Sequence, residues 1–244
     1  MTASPEDRLP EAVLRPVRGH HAFEACVEQL ATAIRLGVYP RGTTLPPERD
    51  LAVMLGISRP TLREAIAALR EAGLVETTRG RHGGTAVTLK ARTPSARAAA
   101  RISAERRLEW LDALEFRRIV EPGAAYLAAT ASLDDARRAQ LEAAHADVAA
   151  ARKPAEHRQA DSRFHLTVAS LSGSARTVEA VTSVQATLHE MLLAIPVLEA
   201  NIAHSDRQHA RLVRAILAGK PDRARRAMEE HCDDTAALLR GLVG

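Results

Sequence analysis

Four side chains that commonly bind divalent ions, Asp161, His165, His209 and His231, fall at helical spacing beside apolar residues. Asp161 and His165 are four apart, so on a helix they share one face, about 6 Å apart along the axis. Asp161 precedes Phe164 by three and His165 precedes Val168 by three, which turns the pair toward a core. His209 precedes Leu212, Val213 and Ile216, and His231 lies between Met228 and Leu238, with the same result. Three inward imidazoles and one inward carboxylate, drawn from three helices, form a donor set suited to zinc, nickel or a similar ion. Spacing alone leaves plainer readings open. A histidine on an apolar face is often a hydrogen-bonded core residue, and Asp161 could pair with Arg158. His189, ahead of Leu192 and Leu193, is an equally inward competitor. No HExxH motif and no obvious spare inward carboxylate is present to activate a water.

A second group of residues is suited to holding phosphates and base edges. Pro46-Pro47 open a short helix whose Leu51, Met54 and Leu55 share a face, and Gly56 stops it. Ser58 then reads as the N-cap of a second helix, with Arg59, Pro60 and Thr61 in its first turn. Leu62, Ile66 and Leu69 of that helix face inward, while Arg59 and Arg63 lie near its start on other faces. This is a helix-turn-helix pattern, in which the start of the second helix reaches the major groove. Val75–Thr78 and Thr85–Leu89 read as two strands around Arg79-Gly80-Arg81-His82-Gly83-Gly84, a basic glycine-rich wing. The expected DNA contacts are Arg49, Ser58, Arg59, Thr61, Arg63, Arg79, Arg81, His82 and Gly83.

Residues 34–88 resemble the winged helix-turn-helix domain of the GntR family of bacterial transcription regulators. The matching residues are Gly37-Val38-Tyr39-Pro40 with Gly42, Leu45-Pro46-Pro47-Glu48-Arg49, Leu51-Ala52, Leu55-Gly56-Ile57-Ser58-Arg59, Leu62-Arg63-Glu64-Ala65, Leu69, Gly73-Leu74-Val75 and the wing. The resemblance implies a DNA-binding regulator rather than an enzyme, and it assigns the arginines to the DNA face. A single winged domain offers little contact area, so a homodimer on a palindromic double-stranded operator is expected.

Composition is consistent with this. Apolar residues make up 46% and aromatics only 2%, which suits helix-on-helix packing. Residues 1–92 carry 13 Lys/Arg against 10 Asp/Glu, and residues 93–244 carry 21 against 20. The net charge of +4 therefore lies mostly with the DNA-binding segment. Cys26 and Cys232 form no CxxC pair or disulfide framework. No signal peptide or membrane span is read, so a cytoplasmic protein is expected.

In chain order, residues 1–20 read as a flexible arm, 21–90 as the winged domain, 91–107 as a linker and 108–244 as an all-helical domain for effector binding and dimerisation. The arm contains three prolines. Phe23, Val27, Leu30 and Ile34 mark a first helix of the winged domain. Leu108, Leu111, Phe116, Ile119, Tyr126 and Leu127 mark the first of six bundle helices, with Pro122 as a kink. The others span about 133–151, 155–171, 176–195, 201–218 and 221–240. The fold class is mainly α, a winged helix-turn-helix followed by an antiparallel bundle of six to seven helices.

The bundle resembles the ligand-binding (FCD) domain of the FadR-like branch of the same family. The resemblance rests on Leu114–Arg118 with Glu121, on Asp161–His165, on His209–Ile216 and on His231. It implies a divalent metal on Asp161, His165, His209 and His231, zinc first, with nickel or manganese as alternatives. It also implies a small organic acid effector at the metal; Arg118 is taken as a candidate anchor for such an anion, and repression as the expected sign. The alternative is a metal-dependent hydrolase-like bundle fused to a DNA-binding module. Ser174 stands where the family commonly has asparagine, and serine can cap the following helix equally.

Overall fold

The computed structural model describes residues 8–17, 22–78, 83–89, 103–194 and 199–243. It divides into two compact units, one spanning Asp7–Ala91 and one built from Arg92–Gly244.

In the first unit, α2 (Ala22–Arg35), α3 (Glu48–Leu55) and α4 (Arg59–Glu71) enclose Leu30, Ile34, Leu51, Leu55, Leu62 and Leu69. α2 buries Cys26, Leu30, Ala33 and Ile34, and Phe23, expected on that face, is exposed. The small Cys26 and Ala33 line the close-packed side of the helix, leaving the bulkier ring outside. Gly56 ends α3 with φ of 63°. A Cβ built there stands 3.1 Å from Cβ of Pro16, so backbone conformation and close approach both select glycine. Ser58 caps α4, its Oγ accepting the Thr61 N–H at 3.2 Å.

β1 (Val75–Thr78) and β2 (Gly84–Val87) pair antiparallel, Val75 opposite Val87 and Thr78 opposite Gly84. The segment 42–45 adds to the free edge of β2: Val87 N–H donates to Thr43 O, and Leu45 N–H donates to Thr85 O. β2 ends at Val87 rather than Leu89 because the N–H groups of Thr88 and Leu89 turn to the Leu74 carbonyl.

Residues 1–7 and 18–20 of the expected flexible arm lie outside the described residues, and residues 8–17 depart from that expectation. Arg8–Val13 form a helix, α1, and Leu9, Val13 and Leu14 are buried. Val17 N–H donates to Leu55 O at 2.7 Å and Arg15 N–H donates to Gln29 Oε1 at 2.9 Å. Leu9, Val13 and Leu14 form an apolar stripe that the prolines obscure. Pro10 stands in the first turn, where no helical N–H is needed.

The second unit holds α5 (Ala104–Thr130), α6 (Asp135–Ala150), α7 (Pro154–Leu171), α8 (Ala175–Ala194), α9 (Glu199–Leu217) and α10 (Pro221–Val243). These are the six expected helices. α5 continues through Pro122. Ser174 Oγ accepts the Thr177 N–H and so opens α8. One apolar cluster joins Ala125, Leu141, Phe164, Val168, Leu212 and Met228, and a second joins Trp110, Leu114, Leu188, Met191 and Leu239.

The inward face of α5 also differs from expectation. Leu108, Leu111, Phe116, Ile119, Tyr126 and Leu127 are exposed, whereas Trp110, Leu114, Arg117, Glu121, Ala124, Ala125 and Ala128 are buried. The helix has two apolar faces, and the one that packs within the chain carries Trp110 and Leu114 in its first half and small residues beyond a buried ion pair in its second. Among the described residues no helix is long and apolar enough to cross a membrane.

Candidate metal centre and DNA-contacting face

α7, α9 and α10 bring His165, His209 and His231 together, with one ring nitrogen of each within 4.8 Å of the others. All three are buried, and the ring centroids lie 4.6 to 5.4 Å apart. Phe164 packs on His209 at 4.5 Å between centroids and closes the apolar side. Asp161 stands at the rim of this group, with Oδ1 3.6 Å from His209 Nε2 and Oδ2 3.9 Å from His165 Nε2. Two ligand atoms each about 2.1 Å from one ion stand roughly 3–4 Å apart, so these separations suit a shared ion. His189 lies outside the group.

The donor set also fits in its hydrogen bonding. His165 Nε2 and both ring nitrogens of His209 are buried with no hydrogen-bond partner among the described residues. Buried polar atoms are normally satisfied, and an ion would take one ring-nitrogen lone pair from each of these histidines. His231 Nδ1–H donates to Gln208 Oε1 at 3.1 Å, and Gln208 Nε2 donates to Asp234 at 2.7 Å. That chain leaves the His231 Nε2 lone pair for a ligand bond. His165 Nδ1 is 2.9 Å from Glu121 Oε2, although its N–H does not point along that line. Burial, then the neighbouring His165 and the Arg117 charge, hold His209 well below the ordinary imidazole pKa. Burial, then His209 and Arg117, do the same for His231. Both rings are thus kept neutral, the form that binds a metal.

Glu121 is an inward carboxylate that the spacing argument missed. Burial opposes its ionisation, but Arg117 and His165 outweigh burial and hold its pKa well below the usual range. Arg117 Nε donates to Oε2 at 3.1 Å and Gln185 Nε2 to Oε1 at 2.6 Å. So engaged, Glu121 orients its neighbours and is no free base. The Arg117–Glu121 spacing of four was visible, but charged residues are ordinarily assigned to solvent.

A cavity of about 90 Å3 opens beside this group. Arg117, Arg158, Asp161 and His231 line its polar side, and Leu188, Leu192 and Ile202 its apolar side. Arg117 is 1% exposed, and both its Nη atoms lack a hydrogen-bond partner among the described residues. Arg118, the expected anchor, instead points outward, with Nε donating to Asp233 at 2.6 Å and Nη1 3.3 Å from Glu229. Adjacent helix positions differ by about 100°, so the neighbouring arginine takes the inward place.

In the first unit, Arg49, Arg59 and Arg63 are exposed at the starts of α3 and α4. Glu48, not anticipated, holds the latter two: Arg63 Nε donates to it at 2.8 Å, and Arg59 Nη2 is 4.0 Å away. The Ser58 and Thr61 hydroxyls are 2.8 Å apart, so Ser58 serves the helix cap. Gly83 is exposed beside the hairpin, and Arg79, Arg81 and His82 lie outside the described residues.

Comparison with known proteins agrees with both units. Residues 23–87 match the family described as bacterial regulatory proteins, gntR family, and residues 112–234 match the FCD domain. The chain is 35% identical over 218 residues to a Mycobacterium gastri protein named as the HTH-type transcriptional regulator RmpR, covering 85% of this chain and 76% of that one. It is 32% identical over 203 residues to an Escherichia coli protein named for regulation of the L-lactate dehydrogenase operon, covering 78% and 75%. The solved structure of E. coli McbR/YncC shares the fold, with a TM-score of 0.55 at 17% identity, over 93% of this chain and all of that one. With a GntR segment, an FCD segment and a relative alike over most of its length, the chain belongs to the GntR family of DNA-binding transcription regulators, in the branch that carries an FCD domain.

Proposed function

We propose that this regulator senses a small organic acid at a metal held by Asp161, His165, His209 and His231, and that the acid changes its affinity for a palindromic operator. The observation that carries this is the buried trio of histidines, in which ring nitrogens of His165 and His209 lack hydrogen-bond partners among the described residues. The metal, zinc before nickel or manganese, supplies positive charge for a carboxylate oxygen in a buried site. Arg117, rather than Arg118, is the anchor for the rest of the acid, because it lines the cavity and its Nη atoms have no hydrogen-bond partner among the described residues. The cavity holds about six water-sized atoms at roughly 15 Å3 each, which favours acids of a few carbons over fatty chains. A relative named for the L-lactate dehydrogenase operon makes L-lactate a first probe.

Operator binding rests on Arg49, Arg59 and Arg63 with the wing, including Arg79, Arg81, His82 and Gly83. The functional species is a homodimer that pairs two half-sites. Repression is the assigned sign, since a bound dimer occludes promoter DNA without needing any further contact. The test is metal analysis of the purified protein, followed by operator titration with and without a panel of C2–C6 acids. Tight metal binding and an acid response that is lost in a His209→Ala, His231→Ala variant are expected. A variant that folds, retains no metal and still responds with unchanged affinity overturns the role of the ion.

A further inference from the structure

The second unit carries a groove that neither the metal site nor the winged domain uses. It has a volume of about 520 Å3 and runs between the C-terminal half of α9 and the N-terminal half of α10. Arg211, Arg214, Lys220, Arg223 and Arg226 line it with one carboxylate, Glu230. Arg211 is paired with Glu230 at 3.1 Å. Arg214, Lys220, Arg223 and Arg226 are exposed and have no ion-pair partner among the described residues. Residues 93–244 together net only +1, so this concentration of positive charge leaves the remainder of the unit acidic.

The lining excludes several occupants. Its apolar contribution is Ala215, Ala218 and Ala227, which offers no aromatic plane for a base and no apolar pocket for an acyl chain. The basic stripe continues along α9 through Arg207, at spacings of four and three to Arg211 and Arg214. Arg207 to Arg214 spans roughly 10 Å of helix, about three nucleotides of one DNA strand. An open, cationic groove without base-reading surface suits a phosphodiester backbone. This protein is already a DNA-binding one, so duplex DNA is the polyanion available to it. We propose that the α9–α10 groove is a second, sequence-independent DNA contact that engages phosphates of the duplex outside the operator core.

The test uses the full-length dimer and a 20-bp operator core selected from a random duplex library, alone or flanked on each side by 15 bp of unrelated sequence. The variant is Arg214→Gln, Arg223→Gln, Arg226→Gln, at three exposed positions outside the metal site and the winged domain. The wild type is expected to bind the flanked duplex more tightly than the core, and the variant to bind both alike. Each phosphate contact makes binding about 3.5-fold weaker between 50 and 200 mM salt, so loss of three contacts per protomer, six in the dimer, reduces that ratio about 1,800-fold on the flanked duplex alone. Equal affinity of the wild type for core and flanked duplex overturns the proposal without need of any variant. So does a flank effect that the variant retains. A thermal shift with sodium tripolyphosphate that the variant loses, with no flank effect, assigns the groove to small phosphates and also overturns it.

Discussion

Arg117 and Glu121 form the decisive pair at the level of single residues. Each is 1% exposed, and each makes the other's charge tolerable in a buried setting. Removing one partner of a buried pair leaves an uncompensated charge and typically costs about 3–5 kcal/mol, whereas replacing both is far milder. Arg117→Met should therefore lower the urea stability of the bundle by about that much, and addition of Glu121→Gln should restore most of it. If the double variant is as unstable as the single, the charge pair is not what holds this region. The buried histidines give a second prediction. His209 and His231 have folded-state pKa values depressed by burial, so the unfolded chain takes up protons first as pH falls. The metal-free protein should lose stability progressively below about pH 6.5, not above it. Urea midpoints at pH 7.5, 6.5 and 5.5 test this, and a midpoint independent of pH contradicts it. The histidines were legible in the sequence because each sits in register with large apolar residues such as Phe164 and Leu212. Arg117 and Glu121 were not, since an apolar stripe says where charge is absent and nothing about where it is buried.

For the helices, the outer face of α5 carries the main consequence. Phe116, Ile119, Tyr126 and Leu127 lie exposed around Gly123, where an added Cβ meets nothing within 4 Å. Ile119 is 72% exposed. Such a stripe on one helix, with a small residue at its centre, is shaped for a second helix, and a second copy of α5 is the partner that the proposed homodimer would supply. Ile119→Arg should shift the dimer to monomer at micromolar concentration, measured by light scattering, and weaken operator binding through loss of the paired half-site. A dimer of unchanged affinity would place the interface elsewhere. Sequence periodicity found α5 but chose this exposed stripe as its core side. Large residues dominate a periodicity count, whereas the second half of the side that packs within the chain is built from Ala124, Ala125 and Ala128. The winged elements were easier to read, because Gly56 and Ser58 mark their ends chemically. The docking of α1 was hidden by prolines that a helix's first turn and its exit tolerate.

For the molecule as a whole, every proposed metal ligand belongs to the second unit, and every described residue proposed to bind the operator core belongs to the first. Metal that binds only the folded bundle stabilises it by mass action, by about 4 kcal/mol at a thousand times the dissociation constant. For a unit of this size that corresponds to roughly 10–15 °C in Tm. The winged unit holds none of these ligands, so its own unfolding gains nothing directly from the ion. Calorimetry of the metal-free protein should then show two transitions, and zinc should raise one while leaving the other within a degree or two. EDTA should reverse the shift, and an operator duplex should move the transition that zinc leaves alone. The assignment of each transition can be checked with Trp110, the single tryptophan, whose fluorescence reports on the bundle. If zinc moves the transition that Trp110 does not follow, or moves neither, the ion is not bound by the histidines of the bundle. If both transitions move together by the same amount, the two units unfold as one, and an effector at the metal can then act on the operator through that shared stability.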